Sequence, residues 1–184
     1  MTASVDKSSR QVLDASEITR ALRRMAGEIA ERNDGTTHLA LVGVRRGGVP
    51  LARRLGELLR AIEGRDIPTG AVDITLYRDD AATALPNPLI GRSEILFPVE
   101  GHTIVLVDDV LFTGRTTRAA IDAILDYGRP KAIQLAVLID RGHLELPIHA
   151  DYVGRTIGTG RDERVDVLLD TDDGHGDRVL ISLA

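Results

Sequence analysis

The chain has 184 residues, and Lys+Arg 23 against Asp+Glu 28 leaves a formal net charge of −5. Hydrophobic residues make up 43% but aromatics only 3%, so the core must rest on Val, Ile, Leu and Ala, as buried parallel strands do. The absence of cysteine excludes disulfides and thiol catalysis, and the acidic balance excludes a uniformly basic nucleic-acid binder while leaving room for a local basic patch.

The length suits one domain over 1–184 with a substantial core. No apolar run approaches the ~20 residues that span a bilayer, and Met1 to Gln11 is too polar for a signal peptide. A soluble cytoplasmic protein that does not engage membranes is the expectation.

In chain order, Asp14-Ala-Ser-Glu17 reads as a capping box, and Ile18, Leu22, Met25 and Ile29 continue a helix until Asn33-Asp34-Gly35. His38–Val44 reads as a buried strand broken at Arg45-Arg46-Gly47-Gly48, with a second helix expected from Pro50 onwards. Residues 71–77 alternate like a half-buried strand. The stretch from Arg78 to Pro98, with Pro86, Pro88, Gly91 and Pro98, reads as a mobile excursion of the kind that carries function. Thr103–Asp108 is a wholly apolar strand ending in two acids, followed by a helix over Thr116–Tyr127 and another buried strand over Ala132–Ile139. Residues 140–164 read as loop-rich, with short strands at 165–169 and 178–183. Strand, helix, buried strand implies an α/β fold, a mostly parallel sheet with helices on both faces.

Ligands of such sheets lie beyond the carboxyl ends of the strands, which singles out Arg45–Gly48, Asp108–Thr116 and Asp140–His143. In Asp108-Asp109-Val110-Leu111-Phe112-Thr113-Gly114-Arg115-Thr116-Thr117, hydroxyls and backbone N–H groups at a helix start make an anion cradle. The two carboxylates upstream repel phosphate, so their targets are hydroxyls or a magnesium ion on the same ligand. Phosphate, diol and metal together describe a phosphorylated ribose. Either half of this segment alone is equally a capped strand–helix junction, and Arg45–Gly48 as a bare tetrapeptide is equally a turn. Neither GxxxxGK[ST] nor a helix-opening GxGxxG is present.

Four hydrophobic residues, two acids, a spacer and Thr-Gly resemble the 5-phosphoribosyl-1-pyrophosphate (PRPP) motif of type I phosphoribosyltransferases. Asp73-Ile-Thr-Leu-Tyr-Arg-Asp-Asp80 and Asp140-Arg-Gly-His-Leu-Glu-Leu-Pro-Ile-His-Ala-Asp-Tyr-Val-Gly154 extend the resemblance to the bifunctional regulators of pyrimidine operons (PyrR), which also act as uracil phosphoribosyltransferases. The resemblance implies the type I fold, with a flexible loop at about 78–98 and a small hood. It implies PRPP bound by Arg45, Arg46, Gly47 and Gly48 at the pyrophosphate and by Asp108, Asp109, Val110, Leu111, Phe112, Thr113, Gly114, Arg115, Thr116 and Thr117 at the ribose phosphate. It further implies that Mg2+ enters with PRPP near Asp108 and Asp109 and that Arg78, otherwise an ordinary exposed loop arginine, closes over the leaving group, with Tyr77 and Asp79 beside it.

Hypoxanthine-type relatives carry an acid immediately before Thr-Gly; Phe112 stands there instead, which favours a pyrimidine over the alternative, purine salvage without RNA binding. Ile139, Asp140, Tyr152 and Val153 are the uracil candidates, although Tyr152 is equally a core aromatic. The family's second activity, binding of pyrimidine-operon leader RNA under control of UMP or UTP, points to Arg23, Arg24, Arg32, Arg141, His143, His149 and Arg155, each of which is equally a solvated surface residue. A homodimer or homotetramer is implied. Departures from the family pattern are Gly27 and His149, where many relatives have histidine and arginine, and Arg46-Gly47-Gly48, where relatives often read Thr-Arg-Gly. Gly158 and Gly160 should loosen the segment Ile157–Glu163.

Overall fold

Asp14 caps the first helix as its neighbours predict: its side chain accepts from Glu17 N at 2.8 Å, and Glu17 returns the bond to Asp14 N at 3.0 Å. The computed structural model describes residues 9–79, 93–169 and 173–184. The elements are β1 (Arg10–Leu13), α1 (Ala15–Arg32), β2 (Leu39–Val44), α2 (Gly48–Glu63), β3 (Thr69–Val72), β4 (Thr103–Leu111), α3 (Arg115–Leu125), β5 (Ala132–Asp140), β6 (Tyr152–Thr156), β7 (Glu163–Leu168) and β8 (Arg178–Leu183).

Five parallel strands form the main sheet in the order β3-β2-β4-β5-β6, and β1-β8-β7 form a small antiparallel sheet. Strand periodicity divides β4 and β5 between two cores. Val105, Val107, Ala136 and Leu138 face α1 and α2, whereas Ile104, Leu106, Leu135 and Val137 face α3. Every residue of β2 is buried, as the unbroken apolar run Leu39–Val44 demands. The small sheet contributes Leu13 and Val179 to the α1–α2 core, where Val110 and Ile157 also pack. It therefore sits beside the carboxyl end of the main sheet, in the position expected of the hood.

Several boundaries differ from the sequence reading. The expected strand at 71–77 ends at Val72: residues 75–77 form a turn that packs Tyr77 on the α3 core and leaves Leu76 exposed. Helix α2 starts at Gly48, ahead of Pro50, and β4 continues through both acids to Leu111. Strands β1 and β6 were not foreseen; β6 is the sheet edge and lies inside the stretch read as loop. The excursion from Arg78 to Pro98 falls largely at 80–92, outside the described residues. No helix among the described residues is long and apolar enough to cross a membrane.

Candidate active site

The carboxyl ends of β2 and β4 meet by close backbone approach. A Cβ on Gly48 would overlap the carbonyl oxygen of Val107 and stand 3.1 Å from Asp108 Cα. A Cβ on Gly47 would overlap the Asp109 carboxylate. Both glycines thus let the Arg45–Gly48 loop rest directly on the acidic pair. The Arg45–Arg46 peptide is cis, and α2 opens at Gly48 without a side-chain cap, Val49 N donating instead to Arg46 O at 3.3 Å, so the loop itself closes onto the positive end of the helix. Arg45 N donates to Val72 O at 2.9 Å, and its guanidinium lies 3.4 Å from Glu94. Arg46 is exposed.

Asp108 and Asp109 occupy unlike environments. Asp108 is 6% exposed; burial first, and then the charge of Asp109, hold its carboxyl well above the ordinary carboxylate range. Asp109 is half-buried at the surface of the cradle, and its Oδ1 accepts from Val110 N at 2.9 Å. Val110 packs on the α1–α2 core and Leu111 is buried in the α3 core, so these two act as spacers within the motif.

Gly114, at φ 88°, makes the turn into α3. The β5–β6 connection braces that turn, since Thr113 O accepts from Glu145 N at 3.0 Å and Leu146 N at 3.3 Å. Thr117 is buried while Arg115 and Thr116 are exposed. Arg115 turns outward to Asp79 (2.7 Å) and Glu145 (2.9 Å), so the cradle offers backbone N–H groups and hydroxyls ahead of this guanidinium.

The segment after β3 is strapped to α3. Tyr77 OH donates to the Asp126 carboxylate, and Arg118 reaches Tyr77 O (2.6 Å), Asp79 (2.8 Å) and Asp122 (2.6 Å). Arg78, exposed, lies in this strap next to Asp79, which pairs with Arg115.

The expected base-pocket residues separate. Asp140 lies at the sheet's carboxyl edge, its Oδ1 accepting from Gly142 N at 3.0 Å and its carbonyl from Ile157 N at 2.8 Å. Ile139 is fully buried next to it. Tyr152 and Val153 do not reach that edge: they pair with Ala136 and Val137, about 13 Å and about 10 Å (3.3 Å per residue) below the Asp140–Thr156 rung. Tyr152 is a core aromatic whose hydroxyl donates to Gln134 Oε1 (2.8 Å) and accepts from Asn33 Nδ2 (3.2 Å).

The basic residues divide in the same way. Arg24 donates to Val153 O (3.1 Å) and Gly154 O (2.6 Å) along the edge strand, Arg155 lies 3.3 Å from Glu17, and Arg32 pairs with Asp151 at 2.8 Å over the Tyr152 ring. A groove of 380 Å³ there is lined by Leu13, Glu17, Arg20, Ala21, Arg24, Gly154 and Arg155. Arg23 and His149 are exposed. Arg141 does not belong to that surface: it is 6% exposed, with its guanidinium 4.0 Å from the Phe112 ring centroid. His143 is half-buried, stacked edge-on to Phe112 at 5.8 Å, and its Nε2 donates to Thr159 O at 2.6 Å. The sequence reading missed Arg20, Thr159 and the inward role of Arg141; the signal for Arg141 was its place directly after a buried strand, next to Asp140.

A parallel sheet with an acidic pair, a Thr-Gly cradle and a glycine loop meeting at its carboxyl edge defines a phosphoribosyltransferase-type site. The family model described as "Phosphoribosyl transferase domain" matches residues 8–167. The "Bifunctional protein PyrR" of Pelotomaculum thermopropionicum is 58% identical over 171 residues, covering 93% of this chain and 94% of that protein. Its namesake from Roseiflexus sp. is 56% identical over 172 residues, covering 94% of each. Among solved structures, a hypoxanthine phosphoribosyl transferase of Trypanosoma cruzi superposes with TM-score 0.70 at 18% identity, covering 97% of this chain and 93% of its own. A hypoxanthine-guanine phosphoribosyltransferase of Bacillus anthracis gives TM-score 0.68 at 16% identity, covering 97% and 100%. At such identities these two show the fold alone. The chain belongs to the phosphoribosyl transferase family and, within it, to the PyrR proteins.

Proposed function

We propose that this protein transfers the phosphoribosyl group of PRPP to uracil, giving UMP and pyrophosphate. The observation that carries the reading is the meeting of the Arg45–Gly48 loop with Asp109 in front of the Thr113–Thr117 cradle, where one ligand can span pyrophosphate, ribose and 5-phosphate sites. Asp109, with Asp108 behind it, holds the ribose hydroxyls; the N–H groups and hydroxyls of Thr113–Thr117 take the 5-phosphate; the loop after β2 and the start of α2 take the pyrophosphate. N1 of uracil bonds to C1 as the C1–O bond to pyrophosphate breaks, and the N1 proton leaves. Positive charge grows on the ribose ring and negative charge on the leaving group. The arginines of the loop and Arg78 stabilise that negative charge and help exclude water.

No cluster of three His, Asp or Glu among the described residues makes a cage for a metal. Two adjacent carboxylates beside a phosphate cradle fit Mg2+ that arrives on PRPP and keeps waters, as Mg2+ commonly binds. When bound, it neutralises pyrophosphate charge. The same reading takes residues 1–184 as one catalytic domain in the cytoplasm and as a homodimer or homotetramer, which sedimentation would measure.

The decisive assay is UMP formation from uracil and PRPP with hypoxanthine, guanine and orotate as competing acceptors. Uracil should be preferred by at least an order of magnitude, and Asp109→Asn and Arg78→Ala should lose most activity while still folding. Equal or faster turnover of a purine would overturn the reading in favour of purine salvage, against which Phe112 stands. A second activity, regulation of the pyrimidine operon by UMP- or UTP-dependent binding of leader RNA, is favoured by the arginine-lined groove along α1 and β6. Leader RNA should bind more tightly with UMP and release steeply with salt; no UMP effect, or no binding at low salt, would remove this activity.

A further inference from the structure

Arg141 is an expensive residue where it stands. A guanidinium that is 6% exposed has lost most of its water, and its hydrogen bonds among the described residues go to a hydroxyl and a carbonyl, not to a carboxylate. It is held by neutral groups: Nε donates to Thr159 Oγ1 at 3.0 Å, an NH2 nitrogen to Gly160 O at 2.8 Å, and its plane covers Phe112 at 4.0 Å. A methionine or leucine would pack on the same phenyl ring without the desolvation cost.

The surroundings place this cation at the nucleobase end of the site. Phe112 immediately precedes the Thr113-Gly114 turn, so its ring borders the ribose-phosphate cradle. A base on ribose C1 must extend along the sheet edge either toward β2, where the pyrophosphate loop lies, or toward β5 and β6. Only the second direction is left, and it ends at Asp140, Arg141 and the segment after β6. Arg141 and His143 both fasten that segment, through Thr159 Oγ1, Gly160 O and Thr159 O. These bonds anchor the segment that contains Gly158 and Gly160.

We infer that Arg141 is a positioning and specificity residue for the nucleobase, clamping Phe112 to Thr159–Gly160 so that the pocket presents a fixed wall and a buried positive charge to the acceptor ring. Such a charge favours a ring whose oxygens and nitrogen gain negative charge as its proton leaves, which is the chemistry of a 2,4-dioxopyrimidine. The inference rests on the phosphoribosyltransferase reading of this site.

The test is steady-state kinetics of Arg141→Met and Arg141→Lys, with thermal melts alongside. Loss of this clamp and of the buried charge beside the base should raise the KM for uracil ~10-fold or more while leaving the KM for PRPP within about twofold. It should also narrow the preference for uracil over hypoxanthine, and Arg141→Lys should recover part of the loss. Thr159→Ala, at a half-buried loop position, should move the same constants in the same direction by less, and it serves if Arg141→Met does not fold. Parallel changes in both KM values, or an unchanged uracil KM in a folded variant, would overturn the inference. If the wild-type enzyme uses another base, the uracil reading fails, and the same comparison of KM values with that base still decides the role of Arg141.

Discussion

The Cα of Gly47 faces the carboxylate of Asp109 so closely that a methyl group there would overlap it, standing 3.0 Å even from the farther Oδ1. Gly47 has φ −64° and ψ −31°, values open to any residue, so the glycine is required by proximity and not by backbone conformation. This contact joins the loop expected to hold pyrophosphate to the acid expected to hold ribose.

Gly47 and Gly48 should fail differently when changed to alanine. A Cβ on Gly47 meets the movable end of a side chain, so Gly47→Ala should change stability by less than ~1 kcal/mol while raising the KM for PRPP through a displaced Asp109. A Cβ on Gly48 meets the backbone of β4, so Gly48→Ala should cost ~2 kcal/mol, or about 6 °C in Tm. Melts and PRPP saturation curves separate the two outcomes; equal destabilisation by both would contradict the geometry.

Asp108→Asn should stabilise the ligand-free protein near neutral pH while abolishing activity. The folded-state pKa of Asp108 lies above its unfolded value of about 3.9. Between those values the folded chain therefore binds more protons than the unfolded chain, and stability falls as pH rises. The asparagine has no such slope, so its Tm advantage should vanish at and below about pH 4. An advantage that persists in acid would show that ionisation is not its source.

Arg118 holds the strap that carries Arg78, through Tyr77 O and Asp79. Its ion pairs are partly exposed, and such pairs contribute ~0–1 kcal/mol, so Arg118→Met should leave Tm nearly unchanged. If Arg78 acts on the leaving pyrophosphate as proposed, kcat should nevertheless fall ~10-fold or more, since small displacements of such a group are costly. A variant with wild-type kcat would mean that the strap does not position Arg78.

Arg23 is exposed on α1, whereas Arg24 is engaged by two carbonyls of β6. Arg23→Ala should weaken leader-RNA binding and lower the slope of log K against log salt by about 1. Filter binding across a salt series measures it, and an unchanged slope would exclude a phosphate contact by Arg23.

Legibility in the sequence followed the range of the interactions. The capping box at Asp14, the apolar runs of β2 and β4 and the Thr113-Gly114 turn are local, and each was readable from a few neighbours. Strand β6 was not, because an edge strand of only half-buried and exposed residues after Tyr152 carries no apolar run. Tyr152 and Arg141 show the same limit from opposite sides. For Tyr152 the sequence left base pocket and core equally open, and packing makes it core; Arg141 looked like a surface cation and is buried against Phe112.

By itself, the order of residues determined the chemistry that could occur here: an acidic pair before a Thr-Gly helix start, a double glycine after a buried strand, and a phenylalanine where a proton-handling acid would otherwise stand. Tertiary structure alone decided which of these groups meet. It set Gly47 on Asp109, turned Arg115 toward Asp79, and drew Arg141 under Thr159 and Gly160. Strand register and parallel crossovers bring residues distant in sequence to one sheet edge, and burial is a property of what then packs around them.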